Sequence, residues 1–360
     1  MAEPIVSVRA LEKRFPGRRS VSDVVHGRPA AIVRAVDGIS FDVAPGEILA
    51  IVGESGSGKT TTGNLLIGLT QPSAGSVRVA GREVATLERS DLQTLRRTVQ
   101  MVFQDPYESL NPRMRVRDIV AEPLRVHGLA GSAAEERERV AEALTLAGLA
   151  PPEVYLRRYP WELSGGQRQR VGIAAALALQ PSVLVADEPV SMLDVSIRAD
   201  ILNLLGRLAH QEGIAIVMIT HDLSTVSAYA DRIAVMYLGR IVETGPTAAT
   251  LADPQHPYTR ALLSVVPVPD PVARRRPVIL VGETPDPSRI PSGCRFHPRC
   301  PVAFDRCRLV DPPLFVVGPG RAAACLLVEP AAIAPPLGVP PGARSSSARA
   351  AGAPESEAGS

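Results

Sequence analysis

The chain has 360 residues, 45% of them hydrophobic, with 39 Lys and Arg against 37 Asp and Glu, for a net charge of +2 at pH 7. That length accommodates one large domain plus a smaller appendage, or two modest domains, with a substantial buried core. A balance this even, with no long block of like charges, lacks the basic footprint of a nucleic-acid binder, so no nucleic acid is expected among the partners. The start, Met1-Ala2-Glu3-Pro4, has neither the basic opening nor the apolar centre of a secretory signal. No apolar run reaches the roughly 20 residues that cross a bilayer; the closest, 171–186, is interrupted by Gln180 and Pro181. A cytosolic chain is expected, with any membrane role supplied through partners.

In chain order, residues 5–8 and 39–43 alternate apolar and polar, and 47–52 is a short apolar run ending at Gly53. Between the first two, the basic, glycine-containing segment 16–34 reads as an inserted loop. From Asp91 to about Leu149 the pattern is helical, with apolar spacings of three and four over 133–149. Residues 182–186 and 214–220 then read as buried strands, each preceded by a plausible helix, an alternation that predicts an α/β fold with a parallel sheet and crossovers. A last strand pair, 233–237 and 240–244, joins at Leu238-Gly239. After about Leu251 prolines become frequent, and all four cysteines fall between Cys294 and Cys325. From Glu329 onward the chain is mostly Ala, Pro, Gly, Ser and Arg, too poor in bulky apolar residues to offset its ordering entropy, and is expected to be a disordered tail. There is no internal repeat.

Gly53-Glu54-Ser55-Gly56-Ser57-Gly58-Lys59-Thr60 fits the P-loop pattern, with a strand before it and a helix after. Glycines let the backbone curl so that successive N–H groups face phosphate oxygens, and the following helix presents its positive end to the same anion. Lys59 would reach the β- and γ-phosphates of ATP, and the Thr60 hydroxyl would ligate Mg²⁺. Such a loop needs a magnesium-holding carboxylate at the end of another strand, and Val183-Leu184-Val185-Ala186-Asp187-Glu188 offers one. Asp187 is placed to hold the metal, and Glu188, one residue on, to take a proton from the attacking water. The plain alternative for this pair is a solvated loop or an acidic first helical turn. His221 closes the strand at 214–220, at the carboxyl edge where doubly wound sheets bind ligands, and can face the γ-phosphate from the side opposite the P-loop.

Leu163-Ser164-Gly165-Gly166-Gln167-Arg168-Gln169-Arg170, shortly before the Asp187 strand, resembles the signature sequence of ABC ATPases. That resemblance covers roughly residues 5–250. It implies a P-loop NTPase fold of the ABC nucleotide-binding type, with a mixed sheet and a helical subdomain over about 90–178. It also implies that each ATP is sandwiched between two such domains. Ser164, Gly165, Gly166 and Gln167 would then meet the γ-phosphate held by the partner's P-loop, with Asp194 of the D-loop-like Ser191-Met192-Leu193-Asp194 beside them. Met192 stands where the family usually has alanine. The same resemblance makes Gln104, in Val102-Phe103-Gln104-Asp105-Pro106, the Q-loop glutamine that contacts Mg²⁺, and His221 the H-loop switch. Thr61 and the loop positions Ser55, Gly56, Ser57 and Gly58 join the nucleotide contacts. Phe15 resembles the aromatic that stacks on adenine; a core residue of the first strand region is the other reading.

Asp105-Pro106-Tyr107-Glu108-Ser109-Leu110-Asn111-Pro112-Arg113, the inserted loop after Phe15, His256-Pro257-Tyr258-Thr259-Arg260-Ala261-Leu262-Leu263 and Cys294-Arg295-Phe296-His297-Pro298-Arg299-Cys300-Pro301 are similar to the oligopeptide/dipeptide/nickel importer branch. The organisation expected is an ATPase domain over 1–250, a cysteine-containing extension over 251–328 and the tail over 329–360. The cysteines have no C-x₂-C pair, and a disulfide framework does not suit the cytosol. Their gathering suggests a tetrathiolate metal site, and inert buried cysteines are the bland reading. The resemblance implies a [4Fe–4S] cluster on Cys294, Cys300, Cys307 and Cys325, with Zn²⁺ as the rival. Family likeness therefore implies the ATP-hydrolysing subunit of a bacterial importer of di- and oligopeptides, peripheral on the cytoplasmic face of the inner membrane. Its partners would be a second ATPase subunit, two integral-membrane permease subunits and an extracytoplasmic solute-binding protein. The same engine could serve nickel, glutathione or another solute, and a non-transport ABC ATPase is the more distant alternative.

Overall fold

The computed structural model describes residues 3–17, 32–266, 278–280 and 282–330. Most of the expected inserted loop, 18–31, and the tail from 331 lie outside them. The described residues up to Val328 form one compact unit by their contacts.

The chain opens with two long strands, β1 (Val6–Pro16) and β2 (Ile32–Val43), followed by β3 (Ile48–Val52) and helix α1 (Lys59–Leu66). Next come β4 (Ala74–Val79), the two-residue β5 (Arg82–Glu83), α2 (Arg89–Thr98) and β6 (Val99–Val102). After a single helical turn, Pro106–Ser109, three helices follow: α3 (Val116–Val126), α4 (Ala133–Leu146) and α5 (Gly165–Leu177). The second half alternates strand and helix: β7 (Val183–Asp187), α6 (Val195–His210), β8 (Ala215–Thr220), α7 (Leu223–Tyr229), β9 (Arg232–Tyr237) and β10 (Arg240–Pro246). Two short helices, α8 (Thr247–Ala252) and α9 (Pro257–Ser264), and a final hairpin, β11 (Phe315–Gly318) with β12 (Arg321–Ala323), complete it.

Two sheets result. The smaller is antiparallel, in the order β2-β1-β4-β5. The larger runs β11-β12-β10-β9-β3-β8-β7-β6, parallel from β9 to β6 and antiparallel at the β10 side. Strand β3 is buried on both faces, as a central parallel strand should be. Its alternate residues divide the interior: Ile48, Ala50 and Val52 join the layer of helices α3–α6, whereas Leu49 and Ile51 face the layer between the two sheets.

Two differences from the sequence expectation have simple causes. The span 91–149 is not helical throughout, because Val99–Val102 leaves α2 to pair in parallel with Val183–Ala186 as the sheet's outer strand. Four residues are too few to break a helical period in the sequence. The first strand continues past residue 8 to Pro16, held by β2 and β4 on either side through register shifts that blur its alternation.

Candidate functional site

Three parallel strands end together. Val52 of β3 lies opposite Thr220 of β8, and Asp187 of β7 opposite Ile219. The next residues, Gly53, Glu188 and His221, therefore emerge along one carboxyl edge, where such sheets bind ligands. They open on a cavity of about 790 Å³ lined by Val33, Gly53 to Gly56, Gly58 to Thr61, Gln104, Glu188 and His221, together with Leu262 and Pro287.

The loop from Gly53 to Gly58 has its shape for steric reasons. Gly58 caps α1 at φ +105°, where L side chains are strained, and a Cβ there would run into the Ala35 carbonyl. A Cβ on Gly53 would meet the Met236 carbonyl. The Lys59 ammonium is buried and donates to the carbonyls of Gly53 (2.8 Å) and Glu54 (2.9 Å). Burial lowers its pKa, opposed by the charges of Glu188, Asp187 and Glu54. The Ser57 hydroxyl is buried without a partner.

Asp187 is also buried. Desolvation raises its pKa, Glu188 adds to the rise, and a hydrogen bond from Thr60 and the Lys59 charge work against it. Its second oxygen, Oδ1, has no partner. A hydroxyl and a carboxylate in contact, with a buried lone-pair oxygen to spare, fit a hard divalent cation such as Mg²⁺. Glu188 sits at φ +46°, a left-handed conformation uncommon outside glycine and found at strained functional positions. Its carboxylate is held from two sides, by Gln104 Nε2 at 3.1 Å and His221 Nδ1 at 2.9 Å. The structure thus brings Lys59, Thr60, Thr61, Gln104, Asp187, Glu188 and His221 to one place. Phe15 is not among the cavity's lining residues; it is 39% exposed, beside Val33, which does line the cavity, and under the Lys13 ammonium 4.9 Å from its ring centroid.

Ser164 and Asp194 stand apart from this cavity. Ser164 caps α5 in a reciprocal box: its hydroxyl accepts from Gln167 N–H, and Gln167 Oε1 accepts from Ser164 N–H. Asp194 precedes α6 with no side-chain capping bond, between Met192 (58% exposed) and Val195 (80% exposed).

Sequence reasoning missed the hold that the last third of the chain takes on the loop. The Tyr258 hydroxyl accepts from Glu54 N–H at 2.8 Å, Thr284 donates to the Glu54 carboxylate at 2.6 Å, and Arg299 grips both its oxygens at 2.7 and 3.1 Å. Burial works to raise the Glu54 pKa, but the Arg299 and Thr284 hydrogen bonds outweigh it and hold the carboxyl below its ordinary value. Arg295 is buried likewise, donating to the Leu238 carbonyl and paired with Asp37.

The four cysteines are all free thiols. Burial raises the pKa of Cys294 to about 11, and the other three thiols push it in the same direction. The backbone N–H groups of Phe296, Val302 and Leu327 point at the sulfurs of Cys294, Cys300 and Cys325, each two residues back. Among the described residues no group of three or more His, Cys, Asp or Glu is arranged to hold a metal ion.

The family model for ABC transporters matches residues 36–191, and that for the oligopeptide/dipeptide transporter C-terminal region matches 242–307. The chain is 48% identical to a probable peptide ABC transporter ATP-binding protein, y4tS, of Sinorhizobium fredii, covering 93% of both chains. It is 43% identical to the oligopeptide transport ATP-binding protein AppF of Bacillus subtilis, over 90% of this chain and 98% of AppF. Among solved structures it is similar to the dimeric ATP-binding cassette MJ0796 in a post-hydrolysis state bound to ADP and Pi, with 30% identity, TM-score 0.58, and 67% of this chain and 98% of that one covered. It is also similar to cbiO1 of Clostridium perfringens, part of the cbiONQ ABC transporter complex, with 30% identity and TM-score 0.59 over 70% and 92% of the two chains. A phosphate-shaped loop, a paired Thr60 and Asp187 and a bracketed Glu188 on a chain so matched leave one conclusion: it belongs to the ABC transporter ATPases, in the branch that carries the oligopeptide/dipeptide transporter C-terminal region.

Proposed function

We propose that this chain hydrolyses ATP to energise the uptake of di- and oligopeptides through membrane permease subunits at the cytoplasmic face of the membrane. The observation that carries the hydrolytic half is Glu188, held between Gln104 and His221 at the mouth of the phosphate loop. In this reading the loop N–H groups and Lys59 bind the β- and γ-phosphates, and Lys59 exchanges its hold on the Gly53 and Glu54 carbonyls for the anion. Glu188 takes the proton from the attacking water, and His221 steadies both that carboxylate and the developing charge. Thr60, Asp187 and Gln104 would hold Mg²⁺, which when bound offsets charge on the phosphate oxygens.

Ser164 to Gln167 and Asp194 lie outside the chain's own cavity, so their nucleotide role requires a second ATPase subunit. The positive N-terminal end of α5 and the exposed Met192 and Val195 suit such a face. The exposed Phe103 and Tyr107, flanking Gln104, offer the apolar surface a permease contact needs. Among the described residues no helix is long and apolar enough to cross a membrane, so passage would be through partners. An extracytoplasmic binding protein would deliver the peptide.

The peptide assignment is supported by the match of 242–307 to the oligopeptide/dipeptide region and by the names of the relatives. That same region would hold a [4Fe–4S] cluster on Cys294, Cys300, Cys307 and Cys325. Four thiols with N–H groups aimed at three of their sulfurs are the donor chemistry and surroundings such clusters have. Zn²⁺ on the same four thiolates is the rival reading.

The test is Glu188→Gln, expected to bind ATP normally and to lose turnover by about two to four orders of magnitude. Near-normal hydrolysis would remove Glu188 as the base. For the substrate, cells lacking the chain should lose uptake of labelled tri- and tetrapeptides; unchanged uptake would overturn the peptide assignment while leaving the ATPase intact.

A further inference from the structure

The loop between Gly53 and Gly58 is not held by the ATPase core alone. Glu54 is tied at three points to residues more than 200 positions away. Its N–H goes to the Tyr258 hydroxyl, and its carboxylate is shared by Thr284 and by both Nη atoms of Arg299. Arg299 also donates to the Thr284 hydroxyl at 3.2 Å, so the three side chains close into one network. The Arg299 side chain is 9% exposed and that of Glu54 28%, a contact mostly shielded from solvent and its screening.

One anchor of this network, Tyr258, belongs to the main core. Tyr258 is fully buried and packs on Tyr237 and Phe296, with ring centroids at 4.8 and 5.4 Å. Phe296 begins the short turn that carries Arg299, whose N–H donates to the Phe296 carbonyl at 3.0 Å. The remaining polar group of Glu54 faces inward: its carbonyl accepts from Ser57 N–H at 3.2 Å and from the Lys59 ammonium at 2.9 Å. One residue therefore joins two tasks. Its side chain and N–H are fixed from outside the loop, and its carbonyl closes the loop's curl and steers the lysine.

We propose that Arg299 is a positioning residue for nucleotide binding, acting through Glu54 to hold the phosphate loop in its binding shape. A loop fixed before the ligand arrives loses less entropy on binding, so the network should show in ATP affinity rather than in the chemical step. Arg suits the position because its planar fork meets both carboxylate oxygens with two parallel N–H bonds, a geometry an ammonium does not offer. The proposal rests on the reading of Gly53 to Thr60 as the nucleotide cradle.

The experiment measures binding of the fluorescent analogue mant-ATP, and KM and kcat for ATP, on the full chain and on Glu54→Gln, Arg299→Gln, Arg299→Lys and the Glu54→Gln/Arg299→Gln pair. Each Gln variant should weaken mant-ATP and raise KM about tenfold, the size expected for one charged hydrogen-bonded pair. The double variant should be no worse than either single one, because both remove the same contact. Arg299→Lys should recover part of the loss, and kcat at saturating ATP should fall less than about twofold in all. Wild-type affinity in Glu54→Gln, additive losses in the pair, or a fall in kcat without a change in KM would each overturn the proposal. Should Arg299→Gln fail to fold, Glu54→Gln alone decides it. Lys59→Ala separates the two levels. If it binds mant-ATP with unchanged affinity, the cradle reading fails and this proposal with it; if it binds more weakly, a normal Glu54→Gln defeats the Arg299 role alone.

Discussion

The phosphate loop and the cysteine region are built in opposite ways. The first is contiguous: Gly53 to Thr60 follow one another, and their backbone makes the cavity directly. The second is assembled from pieces: Cys294 and Cys300 on one turn, Cys307 on the next, and Cys325 after a hairpin that has become part of the main sheet through Ala323 opposite Glu243. A contiguous site reads as a motif because each residue's neighbours are also its structural partners. A dispersed site depends on long-range packing: the gathering of the four cysteines is visible in the sequence, but their mutual placement and their link to the loop are not. The two regions are nonetheless joined, since Arg299, next to Cys300, reaches the loop itself.

The largest expected effect tests the contiguous region. Gly58→Ala places a Cβ against the Ala35 carbonyl at φ +105°. The conformational penalty and the backbone clash together should cost about 3 kcal/mol locally, enough to weaken nucleotide binding by at least roughly a hundredfold. Titration with mant-ATP measures it. Binding within a few-fold of the parent would mean that the loop is less tightly built than its contacts suggest.

These two constructions also explain what the sequence made legible. Lys59, Thr60, Asp187, Glu188 and His221 were identifiable because each closes a short apolar strand or opens a helix, and parallel strands end at one edge by geometry. Ser164 and Gln167 were identifiable as a signature, and the structure shows them also as a reciprocal helix cap. What could not be seen is the network on Glu54 and the pairing of Arg295 with Asp37, at separations of 204 to 258 residues. Periodicity and spacing say nothing about such contacts. A single arginine before a cysteine has the same appearance whether it faces solvent or grips a loop at the far end of the chain.

A second test asks whether acid sensitivity lies in the extension. His256 is fully buried, and burial, with the Arg260 charge adding to it, lowers its pKa from 6.5 to about 3. Its ring Nδ1 accepts from Tyr258 N–H, and its own backbone N–H is bound by the Glu243 carboxylate. Because the unfolded state takes up a proton at a pH where the folded state does not, stability is complete above about pH 6.5 and is lost as pH falls towards 3. Between pH 7 and 5 the loss from this one group is about 2 kcal/mol. Urea unfolding of His256→Gln should therefore show a pH 7 to 5 difference smaller by that amount. An unchanged difference would place the acid-sensitive group elsewhere.

The smallest effect bears most directly on how the two regions are joined. If the proposed cluster is bound, Cys300→Ser should lower the iron content of the purified chain, because a cluster deprived of one of four thiolates is held less well. It should also weaken ATP binding, but only by about threefold, or roughly 0.6 kcal/mol, because the backbone bond from Arg299 to Phe296 and the aromatic packing behind it do not depend on the sulfur. The ratio of the two losses is what matters. Iron lost with ATP affinity unchanged would make the cysteine region a separate device that merely adjoins the ATPase. Iron retained would remove Cys300 from the ligand set. Both falling together, with Arg299→Lys added to Cys300→Ser costing no more affinity than Arg299→Lys alone, would mean that the thiols act on the nucleotide through that one arginine.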